Sequence, residues 1–407
     1  MSHDDLEHAG FKDRTRVAAA LETVLGAVTG HDRTERVALG RADGRTLAET
    51  VTAPRPVPGY DRAAMDGYAV RAADTFGATD RSPTVLREGD GDVRSGDAVR
   101  VHTGSDLPDG ADAVVMIEQT EAVGDEIEVF DAVAEGENVG DVGEDVVEGE
   151  ELYEPGHRLR PSDLGLLKSV GIDRVEVYEP PTVGVIPTGE ELVQRDPGPG
   201  EVIETNGLTV SGFADRWGAV PTYRNVVDDD PNAIRAAIQR DLAKDVVVTT
   251  GGSSVGERDH TPEVVDDIGE VLVHGVALKP GHPVALGVVE GTPVVMLPGY
   301  PVACIVNAVQ FLRPILKTAG NMPVPPHPTV EAQLDRKISS EPGTRTFARV
   351  RLADDDGDLP AAEPTRASGS GVLSSVALAD GWVVVPEERE GFDAGETVAV
   401  EDWEWSA

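Results

Sequence analysis

Val17, Ala20, Leu21, Val24, Leu25 and Val28 recur at three- and four-residue spacing, which predicts an amphipathic helix over residues 16–28 that packs or dimerises. Between about residues 50 and 145 the rhythm changes: short apolar runs, such as 99–102 and 113–117, are divided by Gly, Pro and Asp, the punctuation of β structure. A bridge over 146–178 contains a predicted helix at 162–170, stopped by Gly171 in a left-handed conformation. From Thr182 strands and helices alternate. Residues 183–186 form a short apolar strand, and Val210, Phe213, Ala214 and Trp217 then recur at helical spacing before Gly218. Residues 223–227 read as strand, Asp230 and Pro231 cap and start a helix through Leu242, and 246–250 is strand again. This alternation predicts a parallel, doubly wound α/β domain of about 140 residues, with its ligand beyond the carboxyl ends of the strands. Pro323, Pro325, Pro326 and Pro328 make a stiff linker, and the strands predicted at 347–352, 382–385 and 397–400 suggest a small β-barrel or sandwich.

At 407 residues the chain is long enough for several cores. Its 74 acidic residues against 35 basic ones give a formal charge of -39, which repels nucleic-acid phosphates and anionic lipid, so neither is an expected partner. The lysines are few: Lys12, Lys168, Lys244, Lys279, Lys317 and Lys337. Such avoidance resembles adaptation to a halophilic, high-salt cytoplasm, where a Debye length of roughly 3 Å at molar salt screens self-repulsion. Cys304 is the single cysteine, so an intrachain disulfide is excluded and a reducing, cytoplasmic compartment is expected. It lies in an apolar run, as a buried structural thiol does. Residues 1–13 are polar, without the pattern of a secretory signal, and no apolar run approaches the ~18 residues of a membrane span, so none is expected.

The strand at 246–250 runs into Gly251-Gly252-Ser253-Ser254-Val255-Gly256-Glu257-Arg258-Asp259, and Thr261 with Pro262 then opens a helix. Glycines after a strand let backbone N–H groups approach a phosphate, although no Lys-Ser or Lys-Thr follows Gly256 as in a Walker A loop. Three more loops follow predicted strands: Pro187-Thr188-Gly189-Glu190-Glu191-Leu192, Lys279-Pro280-Gly281-His282-Pro283 and Leu297-Pro298-Gly299-Tyr300-Pro301. Gathered on one rim, they offer the carboxylates of Glu191 and Asp259, the cation of Lys279 and rigid proline backbone. That mixture suits a phosphorylated ligand held with Mg²⁺.

These four loops resemble the domain shared by molybdopterin adenylyltransferases and molybdopterin molybdenumtransferases. The N-terminal half selects the second. Residues 58–70, reading Pro-Gly-Tyr-Asp-Arg-Ala-Ala-Met-Asp-Gly-Tyr-Ala-Val, resemble the signature of the family called MoeA in bacteria and present in the E domain of gephyrin. So do Thr103-Gly104 with 108–112, and Gly143-Glu144-Asp145. The resemblance implies a multidomain α+β and α/β fold: an elongated N-terminal dimerisation domain (1–50 with 146–179), a β-rich inserted domain (51–145), an α/β molybdopterin-binding domain (180–325) and a C-terminal β-barrel-like domain (329–407). It implies a homodimer whose site joins one subunit's α/β domain to the other's N-terminal region.

The resemblance further implies insertion of molybdate into adenylylated molybdopterin, with AMP released and Mg²⁺ required. Catalytic roles fall on Asp61, Thr103, Asp145, Glu191 and Asp259, the last two as metal ligands. Binding roles fall on Thr188, Gly189, Asp229, Gly251, Gly252, Ser253, Ser254, Gly256, Lys279, Pro280, Gly281, Pro298, Gly299 and Pro301, with Arg349 and Ser370 from the C-terminal domain. A molybdopterin adenylyltransferase is an expected partner. The chain departs from the family pattern at Tyr300, where Asn is usual, at His282, where a second lysine is common, and at Gly140 and Asp141, where arginines are usual. Adenylyl transfer, a tungstate-specific paralogue and a non-catalytic cofactor scaffold are the alternatives.

Overall fold

The computed structural model describes residues 14–251, 260–354, 358–365 and 369–406. The N-terminal helix α1 (Val17–Leu25) turns Val17, Ala20 and Val24 inward, as its periodicity predicts. Its partner is the α/β core, with Thr15 tied to the chain ahead of it by hydrogen bonds to Gly275 and Ala277. Strands Thr34–Ala38 and Arg174–Tyr178 pair antiparallel, and with helix α2 (Pro161–Ser169) they enclose a small core of Val37, Leu47, Leu159, Leu167, Val175 and Val177. Gly171 takes φ +89° just beyond α2, the conformation expected of a glycine stop.

Between these elements runs the β-rich insertion. Its six-stranded sheet has the order Ala113–Met116, Gly67–Val70, Asp97–Val101, Thr84–Gly89, Glu126–Val129 and Thr120–Val123. Leu86, Val115, Ile127 and Val129 fill its core.

The α/β domain comprises β1 (Thr182–Pro187), α3 (Asn206–Arg216), β2 (Val220–Tyr223), α4 (Pro231–Asp241), β3 (Val246–Thr250), α5 (Thr261–Ile268), β4 (Glu270–His274), β5 (Ala285–Val289), β6 (Thr292–Leu297) and α6 (Pro301–Ala319). The sheet order is β2-β1-β3-β6-β5-β4. Every residue of β3 is buried, because its Val and Thr side chains lie between neighbouring strands and under helices on both faces. The sheet is mixed, not wholly parallel: β2, β1, β3 and β6 run together, whereas β5 pairs antiparallel with both β6 and β4. Short turns such as the one containing Glu290 and Gly291 allow this hairpin without a crossover helix. The strand predicted at 223–227 instead ends at Tyr223, with Val227 making only an isolated bridge to Thr188. Pro221 is tolerated because β2 is an edge strand. At α4, the Asp230 carboxylate accepts hydrogen bonds from the N–H groups of Asn232 and Ala233.

Helix α6 is long and apolar enough to cross a bilayer, yet 89% of it is buried inside the protein. Asn307, Arg313 and Lys317 interrupt its apolar run, and all three are buried. Its residues Val306, Phe311, Leu312 and Ile315 belong to a core that continues into the C-terminal domain through Phe347, Trp382 and Trp403. That domain is a closed five-stranded barrel, ordered Arg345–Ala353, Ala361–Pro364, Thr329–Leu334, Thr397–Glu401, Gly381–Val385 and back to the first. Leu278–Lys279 adds to it in parallel at Arg345–Thr346, so the Lys279 turn belongs as much to the barrel as to the α/β sheet.

Candidate functional site

Three strand ends meet at one edge of the α/β sheet. Thr188 N–H donates to Thr250 O at 2.9 Å, Gly251 N–H to Leu297 O at 3.1 Å, and Gly189 N–H to Val227 O at 3.1 Å. Gly251 has φ +104°, and a β-carbon on it would stand 2.1 Å from the Thr188 carbonyl oxygen. The approach of β1 and β3 therefore requires glycine at this position. Gly299 follows β6 and comes beside Gly251, where an added β-carbon would make ordinary contact at 3.5 Å. Asn206 Nδ2 donates to Gly299 O at 2.7 Å and ties α3 to the same rim.

Acidic groups crowd this rim. Glu190 N–H donates to Asp229 Oδ2 at 3.4 Å. Burial, aided by the charges of Glu191 and Glu190, pushes the Asp229 carboxyl above the usual carboxylate range. Asp229 Oδ1 is buried without a hydrogen-bond partner among the described residues, as are the hydroxyls of Thr188 and Thr250. Glu191 is exposed beside them. Gly252, Ser253, Ser254, Gly256 and Asp259 of the glycine loop lie outside the described residues.

A cleft of about 790 Å³ opens next to the rim, between the α/β domain and the barrel. It gathers six predicted residues: Lys279, Pro280, Gly281, Pro298, Arg349 and Ser370. Asn307, fully buried on α6, donates through Nδ2 to Gly281 O and Ala303 O, each at 2.9 Å, and so fixes the Lys279 turn. Arg349 is buried, which lowers its guanidinium from the ordinary value, and Nη1 donates to Phe347 O at 3.4 Å. Lys279 and Lys337 line the cleft while pairing with Glu341 at 3.1 Å and Asp393 at 2.8 Å. His282 is held below its ordinary pKa by burial and by Arg14 and Lys279, so it does not restore the charge of a second lysine at neutral pH. Sequence reasoning missed Lys337 and Ser339. The scarcity of lysine was the available signal, since two of six sit here.

Asp61, Thr103 and Asp145 form a separate group, all exposed. The Asp61 carboxylate accepts from Val142 N–H at 2.9 Å, and Asp145 N–H donates to Val57 O at 3.0 Å. Thr103 gives Asp66 two hydrogen bonds, at 2.7 Å from its backbone N–H and 3.0 Å from its hydroxyl, and these hold the Asp66 carboxyl below its usual range. Gly140 is covered: a β-carbon there would meet Glu144 Oε2 at 2.7 Å and Arg62 Nε at 3.1 Å. Among the described residues no hydrogen bond or ion pair joins this group to Glu191 or Lys279 within the chain. Pro301 sits at the start of α6, where its lack of an N–H costs nothing.

Sequence comparison places these features in one family. The family model of the MoeA N-terminal region (domains I and II) matches residues 15–171, that of the probable molybdopterin binding domain matches 184–318, and that of the MoeA C-terminal region (domain IV) matches 331–403. The chain is 34% identical over 398 residues to the molybdopterin molybdenumtransferase of Bacillus subtilis, covering 92% of each. It is 33% identical over 384 residues to that of Haemophilus influenzae, covering 91% of this chain and 94% of the relative. The crystal structure of the molybdopterin biosynthesis MoeA protein from Pyrococcus horikoshii superposes with a TM-score of 0.79 at 32% identity, covering 95% of this chain and 99% of that one. With motifs, fold and domain order in agreement along nearly its whole length, the chain belongs to the MoeA family of molybdopterin molybdenumtransferases.

Proposed function

We propose that this transferase of molybdenum cofactor biosynthesis acts on adenylylated molybdopterin, inserting molybdate and releasing AMP with Mg²⁺ present. One observation carries the reading most: in a chain of charge -39, Lys279, Lys337 and Arg349 converge on a single cleft beside a glycine-threaded strand rim. Charge-assisted hydrogen bonds from such groups suit the phosphate of a pterin. The volume falls within the range of small-molecule sites.

The rim fits a divalent cation. Among the described residues no cluster of three or more Asp, Glu, His or Cys is arranged to bind a metal. Mg²⁺, however, takes one or two carboxylates and completes its shell with phosphate and water. The orphaned Asp229 Oδ1 and the crowded carboxylates of Glu190 and Glu191 are the groups a cation would relieve. Glu191 and Asp259 would hold the ion, whose chemistry is polarisation of the phosphoryl link.

The protein's own contribution is positioning and charge. Lys279 and Arg349 orient the phosphate end, and Pro280 and Pro298 keep the walls rigid. Two molybdenum–sulfur bonds form as the dithiol protons leave with one molybdate oxygen as water, and a water molecule adds across the phosphoanhydride bond as AMP leaves, so no side-chain nucleophile is required. Cys304 suits that absence, because burial pushes its thiol up and keeps it protonated.

Asp61, Thr103 and Asp145 complete the site across a homodimer. Exposed apolar side chains on both regions support pairing: Tyr60, Met65, Val142 and Val147 on one, Val202, Ile203 and Leu208 on the other. A molybdopterin adenylyltransferase of the same cytoplasm would supply the substrate. Incubation with adenylylated molybdopterin, Mg²⁺ and molybdate, or tungstate in its place, tests the reading. AMP release matched by molybdenum incorporation supports it. Adenylylation of molybdopterin from ATP, turnover with tungstate alone, or binding without turnover would each replace it.

A further inference from the structure

Tyr300 stands out in the cleft. It is 60% exposed, whereas Phe347, which also lines the cleft, is 1% exposed. Among the described residues its hydroxyl makes no hydrogen bond, and its ring is the larger part of what it presents to the cleft. The ring is backed by Gly371, where an added β-carbon would lie 3.3 Å from Cδ1 and 3.7 Å from Cε1. That turn is itself fastened to α6 by the hydrogen bond from Val302 N–H to Ser370 O at 3.0 Å. A supported, solvent-facing aromatic ring therefore shares a cleft with Lys279, Lys337 and Arg349.

We infer that Tyr300 is a stacking platform for the planar pterin ring, a positioning residue that sets the ring's orientation while the cations take the phosphate. The inference rests on the reading of the cleft as a pterin site and adds the group that distinguishes a fused heterocycle from a bare phosphate. A flat π-system over a flat π-system gains binding largely independent of hydrogen bonding. Tyr300 also occupies the position just ahead of α6, so the platform is attached to a helix that is almost wholly buried.

The test uses the full-length protein and metal-free molybdopterin, with inorganic phosphate as a probe that lacks the ring. Wild type and Tyr300→Phe should bind molybdopterin alike. Tyr300→Ala should bind it about tenfold more weakly, the loss of one stacking contact, with phosphate competition unchanged. Because Tyr300 is exposed, melting temperature should be the same in all three. Equal molybdopterin affinity in Tyr300→Ala and wild type would overturn the inference and leave the pterin site standing. Failure of wild type to bind molybdopterin at all would overturn the site and the inference together.

Discussion

Replacing Gly251 with Ala puts a β-carbon 2.1 Å from the Thr188 carbonyl oxygen, well inside van der Waals contact, at a φ of +104°. The backbone, not a mobile side chain, is in the way. Left-handed strain at a non-glycine residue costs on the order of 1–3 kcal/mol. Pushing the Gly251 turn away from Thr188 weakens the hydrogen bonds from Thr188 N–H to Thr250 O and Gly251 N–H to Leu297 O, about 1 kcal/mol each. A total loss of roughly 3–5 kcal/mol corresponds to about 6–20 °C in melting midpoint at 2–4 °C per kcal/mol. Displacement of the rim by about 1 Å should also lower AMP release about a hundredfold. Gly299→Ala is the control: its β-carbon makes contact at 3.5 Å and its φ lies outside the left-handed region, so its melt should stay near wild type. Scanning calorimetry with the AMP assay checks both. A Gly251→Ala protein that melts and turns over like wild type would refute the idea that this glycine sets the rim.

Asp163 supplies a pH test. Burial opposes its charge, but hydrogen bonds from Arg160, His157 and Tyr153 outweigh burial and hold the carboxyl well below its usual range. With the folded value below the unfolded one, its stabilisation is complete above about pH 4 and fades as pH falls further. Acid titration of the melting midpoint should therefore drop more steeply in wild type than in Asp163→Asn, and parallel curves would discount the cluster. Asn307→Ala removes both bonds to Gly281 O and Ala303 O and should cost roughly 2–3 kcal/mol in urea unfolding. It should also raise KM for the pterin substrate, since the Lys279 turn loses its tether. The charge of -39 predicts a melting midpoint at least about 5 °C lower in dilute buffer than in molar KCl; an unmoved midpoint would remove the salt argument.

Local signals wrote much of the fold plainly. Strand β3 is an unbroken β-branched run, and Asp230-Pro231 and Gly171 each specify a helix end by their own chemistry. What periodicity lacks is identity of the partner. The stripe of α1 gave a buried face without showing that the α/β core covers it. Strand β2 lies earlier than its apolar pattern suggests, because Pro221 resembles a turn signal until its edge position is known. The Lys279 turn looked like a loop of the α/β sheet, yet its strand pairs with the barrel, a contact 62 residues away at the Lys279–Glu341 ion pair. Arg349 and Ser370 came only through family resemblance, since no local pattern marks them, and the cleft that unites them with Pro298 exists only once two domains pack.

In the proposed homodimer the acidic rim of one subunit and the Asp61 group of the other make one site. Asp61→Ala and Glu191→Ala proteins, each folded and inactive alone, would be unfolded together, refolded and assayed for AMP release. Random pairing yields half heterodimers, each with one intact site of two, so recovery to roughly one quarter of wild-type activity is predicted. Continued inactivity of the mixture, with heterodimers present by mass spectrometry, would contradict the shared site.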